Sequence, residues 1–312
     1  MTRILTLFRC FQERVLAART VHFASDQLYW ECAHSFEQER GIICDNESDF
    51  YKEYSLKTLS NDRDAWHRMV AEYTSRNLTF QSDKLPALSG VISALQKLTG
   101  DTCHAGIWRS WFLLGLLWRV QIPDQDIYVF APKDPVRLEF WRAPSWSWAS
   151  LEGVGLYDII ERFVYSWDYI AQFEDCEVIP SGINPLGELK SGYARIRGSL
   201  TTLTAVDQKA IGHLSNGRAC TIQLTDKRHV YSGVYFDHER FDTCDVVMIT
   251  PYAGLAIRPV ESKQNTYVRV GAILVYLRMG ISTDTGDVVL SEGESQTLTA
   301  VDYPQSTSIT LI

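Results

Sequence analysis

Cys32-Ala33-His34 with Cys44, and Cys103-His104 further on, are the side chains of this sequence best suited to a soft metal ion. Thiolate and imidazole both ligate zinc, but a structural zinc site is built from two compact ligand pairs, and this spacing does not supply them. No metal and no cofactor is therefore expected. Asp237-His238-Glu239 places carboxylates on either side of an imidazole. Adjacent residues of a strand point to opposite faces, so the triplet reads as a solvated turn rather than an acid–base pair. Glu13 and Arg14 are ionic residues in a motif that otherwise reads as helix, and Glu31 sits between Trp30 and Cys32. One of these carboxylates is expected to meet Arg14, Arg19 or Arg76 in a partly buried pair, an arrangement that is often structural and shifts pKa values without catalysis. No serine elbow, glycine-rich phosphate loop or metal-binding helix motif occurs, so catalytic residues stay unassigned.

The segment Phe140-Trp141-Arg142-Ala143-Pro144-Ser145-Trp146-Ser147-Trp148-Ala149-Ser150 carries three tryptophans between 141 and 148. Pro144 fixes its own φ and pushes Ala143 towards an extended conformation. Trp146 and Trp148 alternate with Ser145, Ser147 and Ala149, so in an extended segment both indoles share one face. Aromatic surface of that size needs a cover. The segment is either a core strand capping a helical region, or the aromatic wall of a binding site. In the second case Trp30, Trp108 and Trp118 would join the wall, and Arg142, Ser145 and Ser147 would supply its polar groups.

The elements around these residues change character near residue 150. Residues 12–18 are good helix formers, 20–30 read as strand–turn–strand about Ser25-Asp26, and 33–60 as a polar surface loop with short helical turns. Residues 62–73 form a helix with Asn61 or Asp62 as N-cap and Trp66, Met69, Val70 and Tyr73 at helical spacing. Residues 85–98 form another, with Pro86 in the first turn, Leu88, Val91, Ile92, Leu95 and Leu98 on one face, and Gly100 as C-terminal cap. Gly90 reads as a close helix contact that excludes a larger side chain. Residues 108–118 read as a buried third helix despite Gly115. From Tyr165 onward, short strand-like runs at 193–197, 200–206, 219–224, 230–236, 245–250, 255–260 and 267–277 are bounded by turn residues. After Ile281 the chain is rich in Ser, Thr, Asp and Gly and reads as a loosely ordered tail. The expected fold is α+β: a helix-rich N-terminal half followed by an antiparallel β sandwich or barrel-like domain. The expected divisions are 1–150, 165–280 and 281–312, with a hinge in 151–161, where Gly153 and Gly155 occur.

Several of these pieces together resemble fungal heterokaryon-incompatibility (HET) domain proteins. The run Arg142-Ala143-Pro144-Ser145-Trp146-Ser147-Trp148-Ala149-Ser150 is the most specific. Residues 10–16, 19–23, 26–32, 83–90, 105–108 and 116–118 precede it in the same order, and weaker similarity continues through 192–200 and 254–277. The resemblance thus covers roughly Arg9 to Leu277, far more than one short pattern. The family's Ala-Leu-Ser-Tyr-x-Trp-Gly and Trp-Ile-Asp-x-x-Cys-Ile-x-Gln segments, which lie ahead of the Gln-Glu-Arg motif, are absent. The chain is therefore expected to start where the HET domain proper ends, as a truncated protein or a shortened gene model. The resemblance implies nonself recognition and programmed cell death. The family's N-terminal domain is distantly similar to Toll/interleukin-receptor-like modules, some of which cleave NAD, but likeness of fold does not carry function. The expected role is a non-catalytic regulatory or scaffold region. The rival is a residual ligand-binding or NAD-cleaving enzyme with the Trp-rich segment as a pocket wall. Loss of the preceding domain is also expected to expose Phe11, Val15 and Leu16 and to favour self-association or a protein partner.

The chain has 312 residues, enough for one large or two ordinary domains. Apolar residues at 46% can fill real cores, and a charged fraction of 22% argues against global disorder. A net charge of −8 with dispersed Lys and Arg leaves no basic footprint for nucleic acid. Seven scattered cysteines without a C-x-x-C pair suit reduced, buried thiols in an intracellular, cytoplasmic protein. On that reading the sequons at Asn46 and Asn77 are chance matches. Arg3, Arg9, Arg14 and Arg19 resemble a transit peptide, but the family motif begins at Arg9, so the segment reads as folded protein. The longest apolar run, 111–118, is far short of the roughly 20 residues that span a bilayer, and no membrane association is expected.

Overall fold

The structure is a computed structural model, and it describes residues 9–23, 27–32, 36–39, 54–120, 136–153, 155–156, 169–205, 218–223, 229–239, 241, 243–250, 253–276, 280–281, 288–289 and 306–312. Helix α1 (Arg9–Leu16) leads into an antiparallel sheet of β1 (Arg19–Phe23), β2 (Leu28–Cys32) and β3 (Phe36–Gln38). Helix α2 (Leu56–Asn61) starts at Ser55, whose hydroxyl accepts from the Thr58 amide, and α3 (Arg63–Ser75) starts at Asp62, whose carboxylate accepts from the Asp64 amide. Such caps satisfy amides that the first helical turn leaves without partners. Trp66, Met69, Val70 and Tyr73 of α3 are all buried.

A 3-10 turn (Pro86–Leu88) precedes α4 (Ser89–Thr99), which ends at Gly100 in the left-handed conformation (φ 73°). Leu88, Val91, Ile92 and Leu95 face the core, while Leu98 is exposed. Helix α1 docks on the start of α4. The Gly90 amide donates to Gln12 Oε1 at 2.9 Å, and a Cβ at Gly90 would lie 2.9 Å from that side-chain amide. Phe11 and Val15 are consequently buried within this chain, Phe11 against Tyr73 with 5.4 Å between ring centroids. This corrects the expectation that both would be exposed; only Leu16 of the three is.

Residues 108–118 are buried for most of their length but do not form the single helix expected. They divide into the end of β5 (Ile107–Trp108), a 3-10 turn (Arg109–Trp111), the one-turn α5 (Phe112–Gly115) and a turn at 116–117 that leads into β6 (Arg119–Val120). The cause lies just upstream. β4 (Cys103–His104) pairs with β5 across Ala105 and Gly106, at φ 48° and 87°. Two successive left-handed residues make the hairpin turn whose twist suits paired strands. That turn commits Trp108 to a strand. Gly115 then packs so closely on Ile107 that a Cβ would collide with it. Of the stretch 151–161, expected to hold a hinge, β8 (Leu151–Glu152) pairs with β7 (Val136–Arg137) and β9 (Gly155–Leu156) with β6, while residues 154 and 157–161 lie outside the described residues.

The larger sheet contains β10 (Gln172–Pro180), β11 (Leu189–Ala205), β12 (Arg218–Gln223), β13 (His229–Phe236), β14 (Thr243–Met248), β15 (Ala253–Pro259) and β16 (Thr266–Tyr276). The short β17 (Gly280–Ile281) and β18 (Val288–Val289) pair with each other, and β19 (Ser306–Leu311) returns to the large sheet. The 17-residue β11 is long enough to pair with β19 over residues 194–199 and with β14 over 200–204. The circuit β11–β14–β15–β16–β19 closes a five-stranded barrel. Closure removes sheet edges, which otherwise invite aggregation. Every pairing in it is antiparallel except β16 with β19.

The expected α+β fold with a helix-rich N-terminal half is therefore corrected. Among the described residues strand outweighs helix, and the helices are few. The N-terminal part interleaves them with small ribbons because turns such as Ala105-Gly106 and long-range pairing override local helix periodicity. Of the tail 281–312, expected to be loosely ordered, β19 is instead a barrel strand with Ile309 and Leu311 fully buried. The larger of two hydrophobic clusters runs from Phe11 and Trp66 through Trp146 and Trp148 to Ile196, Leu255 and Leu311 of the barrel, and a smaller one gathers Cys244, Val246, Met248, Ala256, Val270 and Ile273 of β14, β15 and β16.

Candidate functional site

The tryptophan segment lies where the N-terminal elements meet the barrel. It is not extended. Pro144 to Trp146 make a turn, and Ser147 caps a 3-10 helix (Trp148–Ser150), accepting from the Ala149 amide at 3.0 Å. Trp146 and Trp148 are 0% and 2% exposed. The Trp148 indole donates to the Gly106 carbonyl at 3.1 Å and stands edge-on to Tyr73, while Trp146 meets Phe112 at 5.4 Å between ring centroids. The two indoles therefore enter different parts of the core rather than sharing one face. Ser147 donates to the Ala105 carbonyl at 2.6 Å, and the Trp118 indole to the Trp146 carbonyl at 2.9 Å. Phe140 and Trp141, at the start of the segment, are about half exposed. Trp146→Ala should cost about 3–5 kcal/mol, the range for a fully enclosed aromatic. Denaturant unfolding of the purified variant measures it; unchanged stability would return Trp146 to the role of a binding wall.

Arg142 anchors the segment from inside. Its guanidinium donates to the carbonyls of Ala149 (2.6 Å), Leu151 (2.8 Å) and Gln81 (2.8 Å), and to Glu152. The Lys84 ammonium, fully buried, donates to the Leu151 carbonyl at 3.1 Å and to Glu152 at 3.2 Å. Tyr73 completes the cluster by donating to the Lys84 carbonyl at 2.6 Å. Burial alone would raise the Glu152 carboxyl, but Lys84 and Arg142 outweigh it and hold the group below its usual value.

Ser145 reaches the other way. Its amide donates to the Ile312 carbonyl at 3.1 Å and its hydroxyl donates to the same oxygen. That hydroxyl also accepts from the Arg269 amide at 2.9 Å. The Arg269 guanidinium, fully buried, lies 3.6 Å from the Trp118 ring centroid and donates to Asp237 and to the Trp118 carbonyl. Asp237 is thus corrected from a solvated turn to a buried ion pair, although His238 and Glu239 beside it are exposed. Burial pushes the Asp237 carboxyl above its usual range, with Arg269 pulling the other way.

A third ionic cluster ties α1 to β2. Glu31, fully buried, takes two hydrogen bonds from Arg14 Nε at 2.9 and 3.0 Å, one from Arg14 Nη2 at 2.9 Å, and lies 2.9 Å from His22 Nε2. Of the three arginines expected as partners, Arg14 is the one that forms the ion pair. Burial would raise the Glu31 carboxyl; the bond and charge of Arg14, helped by His22, hold it low instead.

His67 on α3 stands edge-on to Trp111 and is 2% exposed. Burial, with the charges of Arg63 and Arg68, holds its pKa well below the usual imidazole value. The Asp64 carboxylate, 3.9 Å away and 44% exposed, is too distant and too wet to keep a proton on the ring. The unfolded chain binds that proton near pH 6.5 and the folded chain does not. Stability is therefore fully present above pH 6.5 and falls as pH drops, by up to about 1.4 kcal/mol per pH unit. Unfolding midpoints at pH 7, 6 and 5 should show this slope, reduced in His67→Phe. His104, also lowered chiefly by burial, adds a smaller share of the same sign.

Among the described residues no group of three or more His, Cys, Asp or Glu is placed to hold a metal ion. Ala33, His34 and Cys44 lie outside the described residues. Cys103 is buried and its thiol is pushed far up, chiefly by that burial, so it is a poor nucleophile and ligand. A shallow groove between α4 and the β10–β11 hairpin is lined by Leu85, Ile92, Cys103, Val178 and Leu189, without the convergent polar side chains that fix a ligand. Among the described residues, no helix is long and apolar enough to cross a membrane. The links that sequence reasoning missed join residues far apart, as Lys84 to Glu152 and Ser145 to Arg269. No protein-family description, curated protein or solved structure matches this chain.

Proposed function

We propose that this chain is a non-catalytic regulatory or scaffold region of a fungal HET-type protein that acts in nonself recognition and programmed cell death. One observation carries the reading. The residues behind the family resemblance spend their polar groups on the chain itself: Gln12 on Gly90, Arg14 on Glu31, Arg142 on Glu152 and three carbonyls, Ser145 on Ile312, and Trp148 on Gly106. Groups committed in this way hold a shape, whereas catalysis needs donors and bases directed at a reacting atom. The rival reading, an NAD-cleaving or ligand-binding pocket walled by the segment, needs an indole face turned to a cavity, and both Trp146 and Trp148 are enclosed.

Incubating the purified chain with NAD and separating the products by chromatography tests the reading. The expected result is no release of nicotinamide above a protein-free control. Turnover that a single substitution within residues 9–150 abolishes, without loss of folding, would overturn it.

A further inference from the structure

We propose that the slot between β11 and β16 is a strand-acceptor site that also takes Ser306–Leu311 from a second copy of this chain. Among the described residues, the bonds that seat β19 come from residue 267 or earlier. It pairs with β11 across residues 194–199 and runs parallel to β16 at Thr266 and Tyr267. The Thr310 amide donates to the Asn265 carbonyl at 2.8 Å and the Ile312 amide to the Tyr267 carbonyl at 3.0 Å. Ser308 donates to Glu174 at 2.6 Å, and Ser145 holds the Ile312 carbonyl.

Backbone bonds supply affinity in such an arrangement, and inward positions supply selectivity. Here Ile309 and Leu311 are fully buried, while Ser308 and Thr310 between them are half-buried. An identical strand from another copy makes the same bonds and fills the same two positions, so the exchange sacrifices no contact of the barrel. That equivalence makes strand exchange a low-cost route to a dimer. The length of the tether permits it. Residues 290–305 separate β18 from β19, and sixteen residues reach up to about 55 Å. A compact chain of this length has a radius of gyration of about 20 Å. A second copy is favoured over an unrelated peptide because it matches both inward positions, Ile309 and Leu311, by identity, and the variants below leave these two unchanged.

Arg197 and Ser308 face each other in the β11–β19 register, and neither side chain is in the core. Opposed residues of paired strands are near disulfide distance. Full-length Arg197→Cys and Ser308→Cys variants, refolded together at high concentration and then oxidised, test the exchange. The expected result is a species of two chains on a non-reducing gel, with a 197–308 disulfide confirmed by peptide mapping. It should be absent when either variant is refolded alone. A chain carrying both changes should close the same disulfide internally in dilute solution and between chains in concentrated solution. Failure to form the mixed 197–308 species after concentrated refolding would overturn the proposal.

Discussion

Deleting residues 306–312 should abolish cooperative folding of the whole chain, beyond the barrel itself. β19 closes the barrel by bonding to both β11 and β16, so its loss opens two edges that nothing else among the described strands covers. Ile309 and Leu311 are fully buried, and removing each forfeits about 1.5–3 kcal/mol of burial. The loss then spreads through Ser145. Its amide and hydroxyl hold the Ile312 oxygen while the hydroxyl accepts from the Arg269 amide, so the tryptophan segment is seated partly by the residue that follows β19. Net stabilities of about 5–15 kcal/mol leave little margin for such a loss. Tryptophan fluorescence should shift to the red, because Trp118, Trp146 and Trp148 lose their enclosure, and the guanidinium titration should lose its sigmoid. A truncated chain with native emission and a sharp transition would contradict the role given to β19.

Glu152→Ala should cost about 3–5 kcal/mol, because it leaves the buried charges of Lys84 and Arg142 without their carboxylate. Removing Lys84 instead leaves a matched Arg142–Glu152 pair, so Lys84→Met should be much milder. The double variant Lys84→Met with Glu152→Ala should recover part of the single loss, since one buried cation rather than two then lacks its carboxylate. The same carboxyl sets an acid limit. Its folded pKa lies below the unfolded value near 4.3, so its contribution is present above that pH and is lost as pH falls through the folded value. Denaturant midpoints of the four chains at pH 7 give the cycle. Equal losses in Lys84→Met and Glu152→Ala would show that charge balance is not what holds the cluster.

Legibility from sequence followed the range of the interaction. Helices α3 and α4 were readable because Trp66, Met69, Val70 and Tyr73, and Val91, Ile92 and Leu95, repeat at the helical period within one element, although the expected helix 85–98 opens as a 3-10 turn that holds Leu88. Gly90 was readable as a contact point, though not that Gln12 would fill it. Residues 108–118 were readable as buried but not in their backbone form, which the Ala105-Gly106 turn decides from outside the stretch. β19 was hidden because Ser306, Thr307, Ser308 and Thr310 make its composition resemble a tail, and its partner strand begins more than 100 residues earlier. The tryptophan segment drew attention for its aromatic content, yet much of its anchoring lies in Arg142 and Ser145. Their partners, Gln81, Glu152 and Ile312, have no local signature.

By its bonds to Gln81 on one side and to Ile312 and Arg269 on the other, the segment from Arg142 to Ser150 joins the N-terminal elements to the barrel, and the two are expected to unfold as one cooperative unit. Differential scanning calorimetry of the full chain tests it most directly. One endotherm is expected, with calorimetric and van't Hoff enthalpies equal, because the larger hydrophobic cluster draws its residues from both the N-terminal elements and the barrel. In Ser145→Ala that endotherm should move to lower temperature as a single peak. Two resolved endotherms in the unmodified chain, or a Ser145→Ala variant that shifts only one of them, would contradict it.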